Sequence, residues 1–383
     1  MKTQSLKNVV MVAGEASGDQ HGAHVIRALR KRHRDITVSG AGGQAMQTAG
    51  AQILVDAREL SVMGFTAVFS KAPQILRSMS RLKRLIAESK PDLLILIDFP
   101  DFNLHLAGYA KKMGVPVLYY ISPQVWAWRA GRLRKIKRRV DHMAVILPFE
   151  KSIYERHRVP VTFVGHPLMD AAPQSSESKR AARCGENPAI ALLPGSREGE
   201  VNRLLPEMLK AARVMQQGHG KIRFEISRAP SIEEQMLRDY LRKHPIDNYK
   251  IVNEPVYTIF ERCDLAIVAS GTASLEAAIF GIPTIIVYAT SAFNYWLGKR
   301  LVNVPHIGLA NLIADSRVIP ELVQKEATAA SIAATAQNLL DDPDAYQRMQ
   351  REMNAIRKRL GSSGASERVA EIACQLTGCN CAV

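Results

Sequence analysis

No stretch of the chain approaches the roughly 18 consecutive apolar residues that span a bilayer, although 47% of its 383 residues are hydrophobic. The N-terminus also lacks a cationic segment followed by a long apolar core and a small-residue cleavage site, so no secretory leader is expected and the chain is expected in the cytoplasm. Cysteine is scarce, with five in all. Cys184 and Cys263 stand alone, while Cys374, Cys379 and Cys381 crowd the C-terminal end. Without a Cys-x-x-Cys or a His at ligand spacing, no metal site is expected. Solenoid-period repeats and low-complexity tracts are missing as well. Acidic residues are the minority: Lys and Arg outnumber Asp and Glu by 51 to 36, a formal net charge of +15. That excess points to an acidic partner, whether nucleic acid, anionic lipid or a phosphorylated substrate, and charge alone does not choose among them.

What is present is a regular alternation of short apolar runs with amphipathic helical patterns, the signature of doubly wound parallel sheets. In the first half the runs are 9–13, 36–40, 93–97, 117–121, 143–147 and 162–164, with helical patterns at 23–31, 74–88 and 102–113. A second set follows at 189–193, 223–227, 250–252, 265–268 and 284–288. Between the two sets lies a polar, Pro/Ser-rich stretch. The length suits two domains, each with its own core. The fold class expected is therefore α/β, two Rossmann-like doubly wound domains facing a cleft. The divisions are 1–170, a linker at 171–186, a second domain at 187–343, and helices at 344–383 that pack back on the first domain.

The most informative run is Ala269-Ser270-Gly271-Thr272-Ala273-Ser274-Leu275-Glu276, where an apolar strand breaks at small residues and a helix starts at once. Such a turn leaves unpaired N–H groups and the positive end of a helix dipole above the strand, which suits a phosphate, although Ser and Thr there also serve as ordinary caps. A second turn of the same kind, Pro194-Gly195-Ser196-Arg197, follows the run 189–193. Ligands of open α/β sheets bind beyond the carboxyl ends of strands, so two such turns, one with an Arg, read as a diphosphate site.

In the first domain the turn Gly14-Glu15-Ala16-Ser17-Gly18-Asp19 places Glu15, Ser17 and Asp19 at the cleft edge. It is not a Walker loop, for no Lys-Ser/Thr follows. Gly40-Ala41-Gly42-Gly43-Gln44-Ala45 fits the looser dinucleotide pattern, with Asp56 or Glu59 near the ribose-binding distance, which keeps an NAD-dependent enzyme as an alternative. The run 93–97 ends in Asp98-Phe99-Pro100-Asp101-Phe102-Asn103. A carboxylate at a strand end, shielded by Phe99 and Phe102, is a suitable base for a hydroxyl nucleophile, its pKa raised by desolvation. Asp101, just before Phe102, fits the helix cap, which leaves Asp98 as the base. His21 and His166 read as hydrogen-bonding partners of a ligand or loop.

Taken together, Gly14 to Asp19, Met63-Gly64, Asp98 to Asn103, Ser122-Pro123-Gln124-Val125-Trp126-Ala127-Trp128-Arg129, Leu147-Pro148-Phe149-Glu150, Gly165-His166-Pro167, Leu193 to Arg197 and Ala269 to Glu276 resemble the lipid A disaccharide synthase family. The motifs occur in the family's order and cover about residues 8–325; Ala16 and Gln124 are small departures. The resemblance implies a B-type glycosyltransferase fold and an inverting transfer from UDP-2,3-diacylglucosamine to the 6-hydroxyl of 2,3-diacylglucosamine 1-phosphate. It implies no cofactor and no metal. The UDP-sugar site would comprise Gly195, Ser196, Arg197, Gly271, Thr272 and Glu276, the last holding ribose hydroxyls, with Asn311, Glu321 and Gln324 as further contacts. Glu15, Ser17, Asp19, His21, Asn103 and His166 would line the substrate cleft beside Asp98.

Lipid substrates call for a membrane-facing surface at the cytoplasmic face of the inner membrane of a Gram-negative cell. Met63, Phe65, Val68, Phe69, Ile75 and Leu76, flanked by basic residues, read as an acyl-chain and interface segment, against a core-facing helix as the plainer reading. A second basic run at 129–139 beside Trp126 and Trp128 suits the acceptor's phosphate or an anionic surface, with a nucleic-acid groove as the competing reading. Nucleic acid is not an expected partner; a homodimer is left open. On the same fold, an isomerase like UDP-N-acetylglucosamine 2-epimerase is the main alternative.

Overall fold

The structure, a computed structural model, describes residues 6–60, 65–127, 131–171, 187–219, 221–301 and 304–379, without the side chains of 65–71, 171, 219, 293, 297, 298 and 301. The chain forms two compact units, Met1–Asp170 with Leu360–Val383, and Ala171–Arg359.

In the first unit, strands β1 (Asn8–Ala13), β2 (Thr37–Gly42), β3 (Gln52–Asp56), β4 (Leu93–Ile97), β5 (Val117–Tyr120), β6 (His142–Val145) and β7 (Val161–Phe163) make one sheet in the order β3-β2-β1-β4-β5-β6-β7. All neighbours run parallel. β1 and β4 read as continuous apolar runs because helices cover both faces. Side chains alternate across the pleat. Val9, Met11 and Ala13 therefore pack against α1 (Ala16–Arg32), whereas Val10 and Val12 face the opposite, helix-covered side. The helices there include α3 (Phe65–Ser89), α4 (Pro100–Lys112) and α5 (Arg132–Arg139), with the short α2 (Gln44–Thr48) beside α1.

The second unit repeats the plan. Its strands are β8 (Ala189–Leu193), β9 (Arg223–Ser227), β10 (Tyr249–Val252), β11 (Leu265–Ala269), β12 (Thr284–Tyr288) and β13 (Glu321–Val323), parallel in the order β10-β9-β8-β11-β12-β13. Helix α6 (Glu198–His219) follows β8, α7 (Thr272–Phe280) follows β11, and α8 (Leu309–Ala314) precedes β13.

In both sheets the strand order reverses once, between β1 and β4 and between β8 and β11. The carboxyl ends flanking those reversals are where open α/β sheets take ligands. The C-terminal segment does not cross over as one piece. Helix α9 (Pro343–Arg359) packs on α7 and α8 within the second unit, and α10 (Ala365–Leu376) lies against α1 within the first. Among the described residues no helix is long and apolar enough to cross a membrane.

Candidate active site

The reversal in the first sheet lies between Gly14-Glu15, after β1, and Asp98, after β4. Asp98 and Phe99 both adopt left-handed backbone, φ 46° and 49°, a conformation that costs an ordinary residue about 1–3 kcal/mol and persists only when its surroundings impose it. Here the surroundings do. The Asp98 carbonyl accepts hydrogen bonds from Asn103 Nδ2 at 2.7 Å and Tyr119 OH at 2.6 Å, and Asn103 Nδ2 also donates to the Ile97 carbonyl at 3.2 Å. The Asp98 N–H donates to the Tyr120 carbonyl at 3.0 Å. Phe99 is accommodated because residue 14 is glycine; a Cβ there would lie 2.5 Å from the Phe99 ring. The turn thus holds a half-buried carboxyl at the mouth of the sheet. Burial, and then the like charge of Glu15, push its pKa up to about 6.

Several expectations for this unit change. Asp101 is not the cap: α4 begins at Pro100 after Phe99, without a side-chain cap, and both Asp101 oxygens take Arg132 Nη2 at 2.8 Å. Arg132 is buried, and Arg139 donates to the Leu104 carbonyl at 2.8 Å, so two guanidiniums of the basic run serve the fold. Trp128 and Arg129 lie outside the described residues.

Asp19 is buried, and its carboxylate accepts the N–H groups of Gly43, Ala45 and Met46 at 2.7, 2.9 and 3.0 Å. It is spent on the start of α2 and is no cleft acceptor. The same bonds fill the place a pyrophosphate would take in the Gly40 to Ala45 pattern, which removes the dinucleotide reading. Asn103, fully buried, serves the Asp98 turn rather than a substrate. Glu15 and Ser17 are exposed at the end of β1. Burial and His24 lower the pKa of His21 to about 4; burial and His21 lower that of His166 to about 3. Both imidazoles are neutral at physiological pH, and His166 Nδ1 accepts the Leu168 N–H at 3.2 Å, a loop contact.

Of the expected membrane segment, Met63 and the side chains of Phe65, Val68 and Phe69 lie outside the described residues. Ile75 packs against the core beside Met79, with Leu82 and Ile86 fully buried, so this part of α3 is a core-facing helix. Leu76, among the described side chains of this segment, points outward, 66% exposed.

The second reversal forms a cavity of about 660 Å³ lined by Gly195, Ser196, Arg197, Gly271, Thr272 and Glu276 among others. No side chain caps α7, and a Cβ on Gly271 would meet nothing within 4 Å, so the helix N-terminus stays open to a ligand. Burial raises the pKa of Glu276. Arg228, not foreseen, also lines the cavity. Its partners are neutral, Asn253 Oδ1 at 2.6 Å and the Ile232 carbonyl at 2.9 Å, which leaves its charge uncompensated by them. The signal for it was a basic residue just past the run 223–227.

Asn311, Glu321 and Gln324 do not line this cavity. Asn311 is fully buried, donating to the Ile319 carbonyl and Glu321 Oε1 and accepting the Ile319 N–H, each at 2.8 Å. Glu321 takes the N–H groups of Ile307 and Gly308 at 3.0 Å, and Gln324 Oε1 takes the Thr290 N–H at 3.0 Å. Asn311 and Glu321 thus satisfy each other and backbone, and the Gln324 amide oxygen is taken by backbone.

The fold is that of two-domain nucleotide-sugar enzymes. A putative UDP-N-acetylglucosamine 2-epimerase from Listeria monocytogenes superposes with a TM-score of 0.65 at 12% identity, over 99% of this chain and 98% of its own. MurG of Acinetobacter baumannii gives 0.63 at 15%, over 96% and 99%. These likenesses establish a B-type glycosyltransferase architecture and leave the chemistry open. Sequence closes the choice. The family described as lipid-A-disaccharide synthetase matches residues 9–375. The lipid-A-disaccharide synthase of Syntrophus aciditrophicus is 46% identical over 97% of this chain and 98% of its own, and that of Geobacter metallireducens 43% over 99% of each. The chain belongs to the lipid-A-disaccharide synthase family, and it is a glycosyltransferase.

Proposed function

We propose that this enzyme moves the 2,3-diacylglucosamine unit of UDP-2,3-diacylglucosamine onto the 6-hydroxyl of 2,3-diacylglucosamine 1-phosphate, with inversion. The products are the β-1,6 disaccharide 1-phosphate and UDP. The observation that carries the mechanism is the raised carboxyl of Asp98 at the first sheet's reversal. A base of pKa about 6 is ionised at neutral pH yet retains driving force for taking a hydroxyl proton. Asp98 takes the 6-hydroxyl proton as the oxygen bonds to the anomeric carbon, and the bond from that carbon to the diphosphate breaks. The charge left on UDP is met by Arg197, the Ser196 N–H and the open N-terminus of α7. Glu276 is assigned to the ribose hydroxyls. The first unit handles the acceptor and the second the UDP-sugar, and the lipid character of both substrates puts the work at the cytoplasmic membrane face.

The test is a paired incubation. With both lipids present, UDP and disaccharide appear in equal amounts; the UDP-sugar alone gives neither UDP nor an isomerised sugar. Conversion of the UDP-sugar without acceptor contradicts the proposal and favours the epimerase alternative.

A pH prediction follows from Asp98. Its ionised form is the active one, so kcat/KM rises with pH through about 6 and levels off above it. Glu15 contributes to that elevation, so Glu15→Gln moves the acid limb to lower pH. A pH profile whose limb stays put in the variant removes Glu15 from this role.

A further inference from the structure

The phosphate-binding turn after β8 already holds an anion. The carboxylate of Glu200, in the first turn of α6, folds back over the turn it follows. Its Oε2 accepts the Ser196 N–H at 3.2 Å and its Oε1 accepts Arg197 Nη1 at 2.8 Å. Gly195, at φ 116°, makes room, since a Cβ there would lie 2.5 Å from Glu200 Oε2. Glu200 lines the same cavity as Gly195, Ser196 and Arg197.

A plain surface ion pair three residues apart does not account for this arrangement. Such pairs contribute little, and they do not engage a backbone N–H. Arg197 is 73% exposed whereas the Glu200 side chain is 29% exposed. The carboxylate lies on the turn with the guanidinium drawn over it. The turn does not depend on Glu200 for its anchorage either, because Ser231 Oγ donates to the Ser196 carbonyl at 2.6 Å.

We infer that Glu200 is an internal counter-anion: its carboxylate occupies the phosphate cradle of the empty enzyme, the diphosphate of the UDP-sugar displaces it, and it returns as UDP leaves. The inference rests on the assignment of this turn to the diphosphate. The Ser196 N–H has one hydrogen to give and cannot serve a carboxylate and a phosphate together, and two anions drawn to the same turn and the same guanidinium repel. Glu200 thus keeps Arg197 parked over the turn between turnovers at the expense of nucleotide affinity. Its competition is directed at phosphate and not at the nucleoside.

The experiment is calorimetric titration of the full chain with UDP and with uridine, for the unaltered protein, Glu200→Gln and Arg197→Ala. An amide fills the same space without the charge. Glu200→Gln is expected to bind UDP on the order of tenfold more tightly, with uridine affinity unchanged. Should Glu200→Gln melt early, Glu200→Ala carries the same expectation. UDP affinity that is unchanged or weaker in both variants, or a uridine affinity that shifts equally, overturns the inference. Arg197→Ala separates the two levels of assignment. Loss of UDP affinity there, with none gained on removing Glu200, refutes the counter-anion alone. UDP binding undiminished in Arg197→Ala refutes the diphosphate site itself.

Discussion

Asp98→Ala is expected to lower kcat by about two to four decades, the usual worth of a positioned general base, with UDP affinity unchanged in calorimetric titration. Asp98→Asn is a sharper probe because it keeps the shape of the turn. The carboxyl has a folded-state pKa of about 6 against an ordinary value of 3.8. Between those values the folded protein binds the proton that the unfolded chain has released, so ionisation costs stability as pH rises through this window. The asparagine variant lacks that loss. It should therefore match the parent near pH 4 and exceed it at pH 8 by about 2–3 kcal/mol. An inactive enzyme that is more stable above neutrality is the signature of a strained functional group. Near-normal turnover in Asp98→Asn removes Asp98 from its role as base.

The parallel strands were legible because a strand buried on both faces must be apolar throughout, as in Leu93–Ile97 and Ala189–Leu193. The edge strands β3 and β13 were not. Gln52–Asp56 keeps one fully buried residue between partly exposed ones, and Glu321–Val323 is three residues long, too little for a periodic signal. The cavity at Gly195 to Arg197 and Gly271 to Glu276 could be read because each turn follows directly from its strand. Asp19, Asn103, Asn311 and Glu321 were misread for one reason. A carboxylate or amide suits a ligand and an unpaired backbone group equally, and only the folded chain shows which it meets. Glu200 was passed over for the converse reason: an acidic residue in a helix's first turn looks like ordinary dipole compensation.

Asn311→Ala separates those two readings. A direct nucleotide contact would cost UDP affinity and leave the melting temperature alone. The structure puts Asn311 at 0% exposure, holding Glu321 Oε1 while Glu321 holds the Ile307 and Gly308 N–H groups. Truncation leaves the Ile319 N–H, the Ile319 carbonyl and one carboxylate oxygen each short of a partner in a buried site. The expected loss is about 3 kcal/mol, or roughly 6–12 °C in the transition of a unit this size. Ser270 Oγ reaches the Ile307 carbonyl at 3.4 Å, so the loosened loop adjoins the start of the phosphate turn at Gly271. UDP affinity should fall as well, but only together with stability. Glu321→Gln retains the shape and one acceptor oxygen, so it should lose less on both counts. A variant at 311 that melts like the parent while losing UDP would restore Asn311 as a nucleotide contact.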